Sequence, residues 1–96
     1  MMEISDVIWL PQFEEKIGVK HRITCDEVEE IFEGQPHYRF LEKGRIRGEN
    51  LYLAYGQTEQ GRHLLVFFIY KSQGRALVVS ARDAENVEQK RYGKKI

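Results

Sequence analysis

HLLVFFIY, from His63 to Tyr70, and ALVVSA, from Ala76 to Ala81, are two apolar runs joined by the glycine-containing segment Lys71 to Arg75. They read as two strands around a turn, because a short glycine-bearing connection favours antiparallel neighbours. The second run leads into Arg82, and a helix-like segment then closes with Lys90, Arg91 and Tyr92. Such an ending can hold cations rigidly at a sheet edge. That is what gripping a phosphate backbone or an acidic partner requires.

Working back from this hairpin, Glu59 to Arg62 reads as a turn and Leu51 to Tyr55 as the preceding strand. Lys43 to Asn50 (KGRIRGEN) reads as a polar, basic hairpin loop and His37 to Glu42 as a further strand. Ahead of Pro36 the period changes toward 3.6. Thr24 and Glu27 form a T-x-x-E capping box, and Val28, Ile31 and Phe32 make one apolar stripe. Gly34 sits where such a helix commonly ends. Asp6 to Leu10 reads as a first strand stopped by Pro11, and Gln12 to Ile17 as one or two helical turns before Gly18. Asp83 is the expected cap of the final helix, with Ala84 and Val87 facing inward. The predicted fold class is α+β: an antiparallel meander with an N-terminal strand and helix and a C-terminal helix.

With 96 residues, 42% of them hydrophobic, residues 1–96 are expected to form one domain with a modest core. No stretch approaches the roughly 20 apolar residues of a membrane span. The opening MMEISDV shows no basic segment leading into an apolar one, so no signal peptide is expected. The single cysteine, Cys25, excludes an internal disulfide framework. Just inside a helix start its pKa can be lowered, but a half-buried thiol with no partner is the simpler reading. A soluble cytoplasmic protein fits these features. Formal net charge is zero, yet residues 1–34 hold three basic and nine acidic residues, and residues 35–96 twelve basic and six acidic. This asymmetry predicts either a charged partner or two halves that neutralise each other.

Several residues recur in a recognisable order. Ile8-Trp9 comes first, then Lys20-His21 ahead of the capped helix, then Glu49 to Gly56 (ENLYLAYG) and Gly61-Arg62. Ser80-Ala81-Arg82, Glu88 and Arg91-Tyr92 follow the apolar strand. From about Val7 to Tyr92 the chain resembles the BrnT family of toxins from type II toxin–antitoxin systems. The resemblance implies a RelE-like fold, an antiparallel sheet flanked by helices. It also implies a ribonuclease that arrests translation and is neutralised by a cognate antitoxin. The family positions carried over are Lys20, His21, Arg62, Arg82, Glu88, Arg91 and Tyr92. One departure is visible: the family usually reads Lys-His-Gly-Val-Ser, whereas this chain has Arg22 in the glycine's place.

RNA is cleaved without a metal by activating its 2′-hydroxyl against the adjacent phosphate. That takes a base, a cation for the developing charge and an acid for the leaving oxygen. His21 is the natural proton carrier, and Glu88 can serve as a second base. Arg82 and Arg62 can clamp a phosphate through paired N–H donors. Lys20 and Arg91 offer further cations, and Tyr92 can stack on a base or donate a proton. Each also has a plainer reading. His21 can bond a nearby backbone group, Arg82 can pair with Glu88 six residues on, and Arg91 can meet the helix dipole. Tyr92 can simply pack helix against sheet, and Arg62 can be solvated. His37 and His63 lie in strand-like segments without partner spacing and read as structural. The Lys43-Gly44-Arg45-Ile46-Arg47 tract can reach phosphates or be an ordinary loop. No metal-ligand spacing and no phosphate-binding glycine loop is present, so no cofactor is expected.

Two functions remain open from the sequence. One is an endoribonuclease acting on RNA, free or on ribosomes. The other is a non-catalytic module of the same fold that binds an antitoxin-like partner. The enzyme reading expects Arg82, His21 and the C-terminal cations to share one open groove.

Overall fold

A computed structural model describes residues 2–93. The elements are β1 (Asp6–Ile8), α1 (Pro11–His21), α2 (Cys25–Glu33), β2 (His37–Glu42), β3 (Leu51–Gln57), β4 (His63–Lys71), a 3-10 turn (Ser72–Gly74), β5 (Arg75–Asp83) and α3 (Asn86–Gly93). One five-stranded sheet runs in the order β1-β5-β4-β3-β2. Strands β2 to β5 pair antiparallel with their sequence neighbours. Strand β1 instead pairs parallel with β5, Val7 opposite Ala76. The sheet is therefore mixed, where the sequence reading expected a wholly antiparallel one. Helices α1 and α2 and three strands intervene between β1 and β5, so no tight turn constrains their relative direction.

Helix α1 is longer than its composition suggested. Pro11 occupies its first turn, where a missing N–H costs nothing, and the helix runs through Gly18. It stops at Arg22, which takes the left-handed conformation (φ 56, ψ 44). The Arg22 N–H donates to the Gly18 carbonyl at 3.1 Å and the Ile23 N–H to the Ile17 carbonyl at 3.2 Å. This is the paired closure that usually calls for glycine, and Arg22 stands where the resemblance expected one. Helix α2 starts as its sequence predicts. The Glu27 N–H donates to Thr24 Oγ1 at 3.1 Å, and the Thr24 N–H to Glu27 Oε1 at 3.0 Å. Val28, Ile31 and Phe32 are its buried stripe. Its end differs in detail: Gly34 has an ordinary φ of −85, and Gln35 takes the left-handed turn at φ 58.

Successive strand residues face opposite sides, so each side of the sheet has its own core. On one face Ala54, Leu64, Val66, Phe68, Val78 and Ala81 pack with Ile17 of α1 and with Val28, Ile31 and Phe32 of α2. Gly56 lets α2 approach β3, since a Cβ there would lie 3.0 Å from the Ile31 side chain. On the other face a smaller cluster joins Leu53, Tyr55, Leu65 and Ala84, with Phe67 and Tyr92 against it. Among the described residues, only the short helix α3 lies over this second face. Two expectations change here. Asp83 ends β5 rather than capping α3, and the Glu88 carboxylate instead accepts from the Glu85 N–H at 2.9 Å. Ala84 is buried as expected, but Val87 is 64% exposed. No helix among the described residues is long and apolar enough to cross a membrane.

Candidate active site at the C-terminal end of β5

The last two residues of β5 divide the predicted site residues between the two faces of the sheet. Arg82 lies opposite Leu65 and Asp83 opposite Leu64, so Arg82 faces α3 while Asp83 faces α1 and α2.

On the α1–α2 side, Arg62 organises a closed network. Its Nε donates to Asp83 Oδ1 at 2.7 Å and Nη2 to Asp83 Oδ2 at 3.1 Å. Nη1 donates to Glu27 Oε1 at 3.1 Å and to the Arg22 carbonyl at 2.9 Å, and Nη2 to the His21 carbonyl at 2.9 Å. Every N–H of this guanidinium has an acceptor inside the protein, so in this arrangement Arg62 has none left for a phosphate. It clamps three elements instead: the end of α1, the start of α2 and the end of β5. The Asp83 hydrogen bonds raise the Arg62 pKa, and Arg62 in turn lowers that of Asp83. The His21 backbone is held in this network, and its imidazole also contributes to lowering the Asp83 pKa. Lys20, one residue earlier in the last turn of α1, is exposed.

On the α3 side, Arg82 is paired with Glu88 in bidentate fashion, Nη1 to Oε1 at 2.9 Å and Nη2 to Oε2 at 2.7 Å. The guanidinium lies 5.9 Å from the Phe67 ring centroid and its side chain remains 37% exposed. The Arg82 hydrogen bonds, followed by the Glu85 N–H, hold the Glu88 carboxyl at about 2. In this arrangement both Glu88 carboxylate oxygens accept from Arg82, so Glu88 orients that guanidinium. Tyr92 packs near Tyr55 at 6.3 Å, with the Arg39 guanidinium 5.4 Å over its ring. The Tyr92 phenol also contributes to raising the Arg82 pKa. Arg91 is exposed on α3 and contributes to lowering the Glu88 pKa.

The expected single groove is thus two back-to-back clusters at one end of the sheet. Arg82, Glu88 and Tyr92 come together on the α3 face, with Arg91 beside them. Arg62, Lys20 and His21 belong to the α1–α2 side. The physical reason is the two-residue repeat of a strand, which separates Arg82 from its neighbour Asp83 and from everything Asp83 binds.

The α3 face also gathers residues that carry no sequence motif. His37, Tyr55 and His63 stack across β2, β3 and β4, with centroids 6.4 Å and 6.0 Å apart. His63 Nδ1 and Tyr55 Oη are 2.8 Å apart. Only strand register brings these three together, and the alternation of β3 and β4 was the one signal in the sequence that they share a face. The basic tract Lys43 to Arg47 lies at the other end of the sheet, where Arg47 lines a cleft with Lys71 and Arg75. Cys25 is not activated: burial and a hydrogen bond with Glu14 push its thiol up to about 11. Among the described residues, no group of three or more His, Cys, Asp and Glu side chains is arranged to hold a metal ion.

Comparison with known proteins agrees with this architecture. The crystal structure of the Brucella abortus ribonuclease toxin, BrnT, is similar in fold. It has a TM-score of 0.59 and 16% sequence identity, over 90% of this chain and 100% of that one. No curated protein matches at significant similarity in sequence. The family model described as the ribonuclease toxin, BrnT, of type II toxin–antitoxin systems matches residues 9–88. That match covers most of the sequence, and the chain therefore belongs to the BrnT family of ribonuclease toxins.

Proposed function

We propose that residues 1–96 act as one RelE-like toxin domain that cleaves cytoplasmic RNA, arrests translation and is silenced by a cognate antitoxin. The observation that carries this reading is Arg82. Its guanidinium is oriented by Glu88, partly exposed, and set on a sheet face that, among the described residues, only α3 covers. A cation fixed in this way needs little reorganisation as charge develops on a phosphorane. Tyr92 stacks on a base or donates a proton beside it, and Arg91 adds positive charge. Lys20 and His21 meet the RNA backbone from the other side of the β5 end, where the strand register leaves them.

The charge distribution supports an anionic ligand. Of the ion pairs among the described residues, only Arg62–Glu27 joins the acidic first third of the chain to the basic remainder. The two halves therefore do little to neutralise each other through direct pairs. The reading of a non-catalytic module has less support, because the family consists of ribonuclease toxins.

Induced expression without an antitoxin tests the proposal. Wild-type protein is expected to arrest growth and to degrade RNA. Arg82→Ala is expected to relieve the arrest while keeping a folded circular-dichroism spectrum. Growth at the uninduced rate, with intact RNA, refutes the reading.

A further inference from the structure

We propose that His63, oriented by Tyr55, is the proton carrier for RNA cleavage in this protein, in place of His21. The inference rests on the ribonuclease reading above and identifies the base of that same site.

Four observations converge on His63. Its Nδ1 is 2.8 Å from Tyr55 Oη, and the two rings are 15° from parallel, so the imidazole is held in both position and plane. With Nδ1 so engaged, Nε2 is the free ring nitrogen, and no hydrogen bond reaches it among the described residues. Tyr55 is itself nearly buried, at 7% exposure, so it is a firm support. Burial also raises its pKa, which keeps the phenol neutral.

The placement is as telling as the pair. Arg82 lies opposite Leu65, two residues along β4 from His63. His63 and Arg82 are therefore diagonal neighbours on one face, a relation that sets the two residues roughly 7–8 Å apart, while the guanidinium itself lies by Phe67, on the far side of Leu65. A phosphate held by Arg82 can thus present its neighbouring 2′-hydroxyl toward Nε2. The Tyr92 phenol lies by Arg82 and Tyr55, and Arg39 supplies a second cation over it. His21 lacks this company: its backbone belongs to the Arg62 network on the opposite face.

The step balances with these groups alone. His63 Nε2 takes the 2′-hydroxyl proton as the 2′-oxygen bonds to phosphorus. The bond from phosphorus to the 5′-oxygen breaks, and Tyr92 gives that oxygen its phenolic proton. Solvent then returns the proton from the imidazolium to the phenolate. The products are a 2′,3′-cyclic phosphate and a 5′-hydroxyl, with Arg82 meeting the charge on the non-bridging oxygens. Tyr55 on β3 contacts His63 directly, and the other charged and titratable groups gathered at this end of the face are Arg82 on β5, Glu85 ahead of α3, and Glu88 and Tyr92 on α3. His37 and Arg39 lie farther along the face on β2.

The test uses the full chain with total bacterial RNA and with a pool of mixed-sequence RNA oligonucleotides as probes. His63→Gln, which keeps a polar side chain of similar size, is expected to lower kcat by roughly 10²- to 10⁴-fold with KM within about threefold. It should also flatten the acidic limb of the pH–rate profile. His63→Ala should regain activity with added imidazole, and His21→Ala should lose less than about tenfold. Tyr55→Phe should lower kcat and move the acidic limb, a shift that lost packing alone would not produce. Melting curves confirm that each variant is folded. If His63→Gln, or His63→Ala should the first not fold, cuts RNA within about tenfold of a cleaving wild type, the His63 assignment falls and the ribonuclease reading stands. A wild type that cuts neither probe overturns both.

Discussion

Replacing Arg62 by alanine distinguishes a structural clamp from an RNA contact, because the two roles predict different losses. The side chain makes two partly exposed ion pairs, to Glu27 at 27% and Asp83 at 59% side-chain exposure. At such exposure each contributes about 0.5–1 kcal/mol once solvent screening is allowed for. It also makes hydrogen bonds to the carbonyls of His21 and Arg22, both at 2.9 Å, each contributing about 0.5–1.5 kcal/mol net. Together these give a destabilisation of about 2–5 kcal/mol, or a fall in Tm of roughly 8–40 °C for a domain of this size. Thermal and urea melts of wild type and Arg62→Ala measure it. Below its new Tm the variant should bind RNA as wild type does, because the guanidinium offers no free donor. A Tm within about 3 °C of wild type, together with weakened RNA binding, would refute this reasoning and place Arg62 against the substrate.

Three further outcomes follow from single side chains. Arg22 holds a left-handed backbone at φ 56, so Arg22→Gly should raise stability by about 0.5–1 kcal/mol, the relieved strain less the added flexibility of unfolded glycine; a lower Tm contradicts this. Glu88 and Asp83 both titrate below their ordinary values, Glu88 from 4.5 to about 2. Their stabilisation is therefore complete above the unfolded value and disappears as pH falls toward the folded one. Stability should decline from about pH 5 to about pH 2, less steeply in Glu88→Gln, and an equal slope in both proteins would contradict the linkage. The Cys25 thiol, raised to about 11, should react with iodoacetamide near pH 8 at least about tenfold more slowly than a free cysteine.

Those features also show which parts of the structure a linear reading can reach. The capping box at Thr24, the stripe Val28-Ile31-Phe32 and the strand cores of β2 to β5 depend on local spacing, and each stands where its spacing put it. The length of α1 depends on a distant partner. Gly18 looked like a stop, but the helix continues to His21, and the Arg62 guanidinium, 40 residues from Arg22, holds the final carbonyls. The pairing of β1 with β5 likewise depends on a strand distant in the sequence, and nothing local to β1 signals its parallel direction.

The site follows the same division. The Arg82–Glu88 pairing was legible because six residues carry the chain from a strand end to the next helical turn. Assigning His21 to that pair joined residues by their order along the chain, whereas a strand sorts its neighbours by parity. Parity sends Asp83 to Arg62 and the end of α1, and it sends Arg82 to His63, Tyr55 and Tyr92. A histidine with no motif, at the head of an apolar run that ends at Tyr70, gives no sign in the sequence that it shares a face with an arginine nineteen positions later. Register supplies that sign, through Leu65 opposite both Tyr55 and Arg82. On this account the chemistry of the chain is concentrated on the α3 face, and the α1–α2 face serves mainly to hold the end of β5 in place.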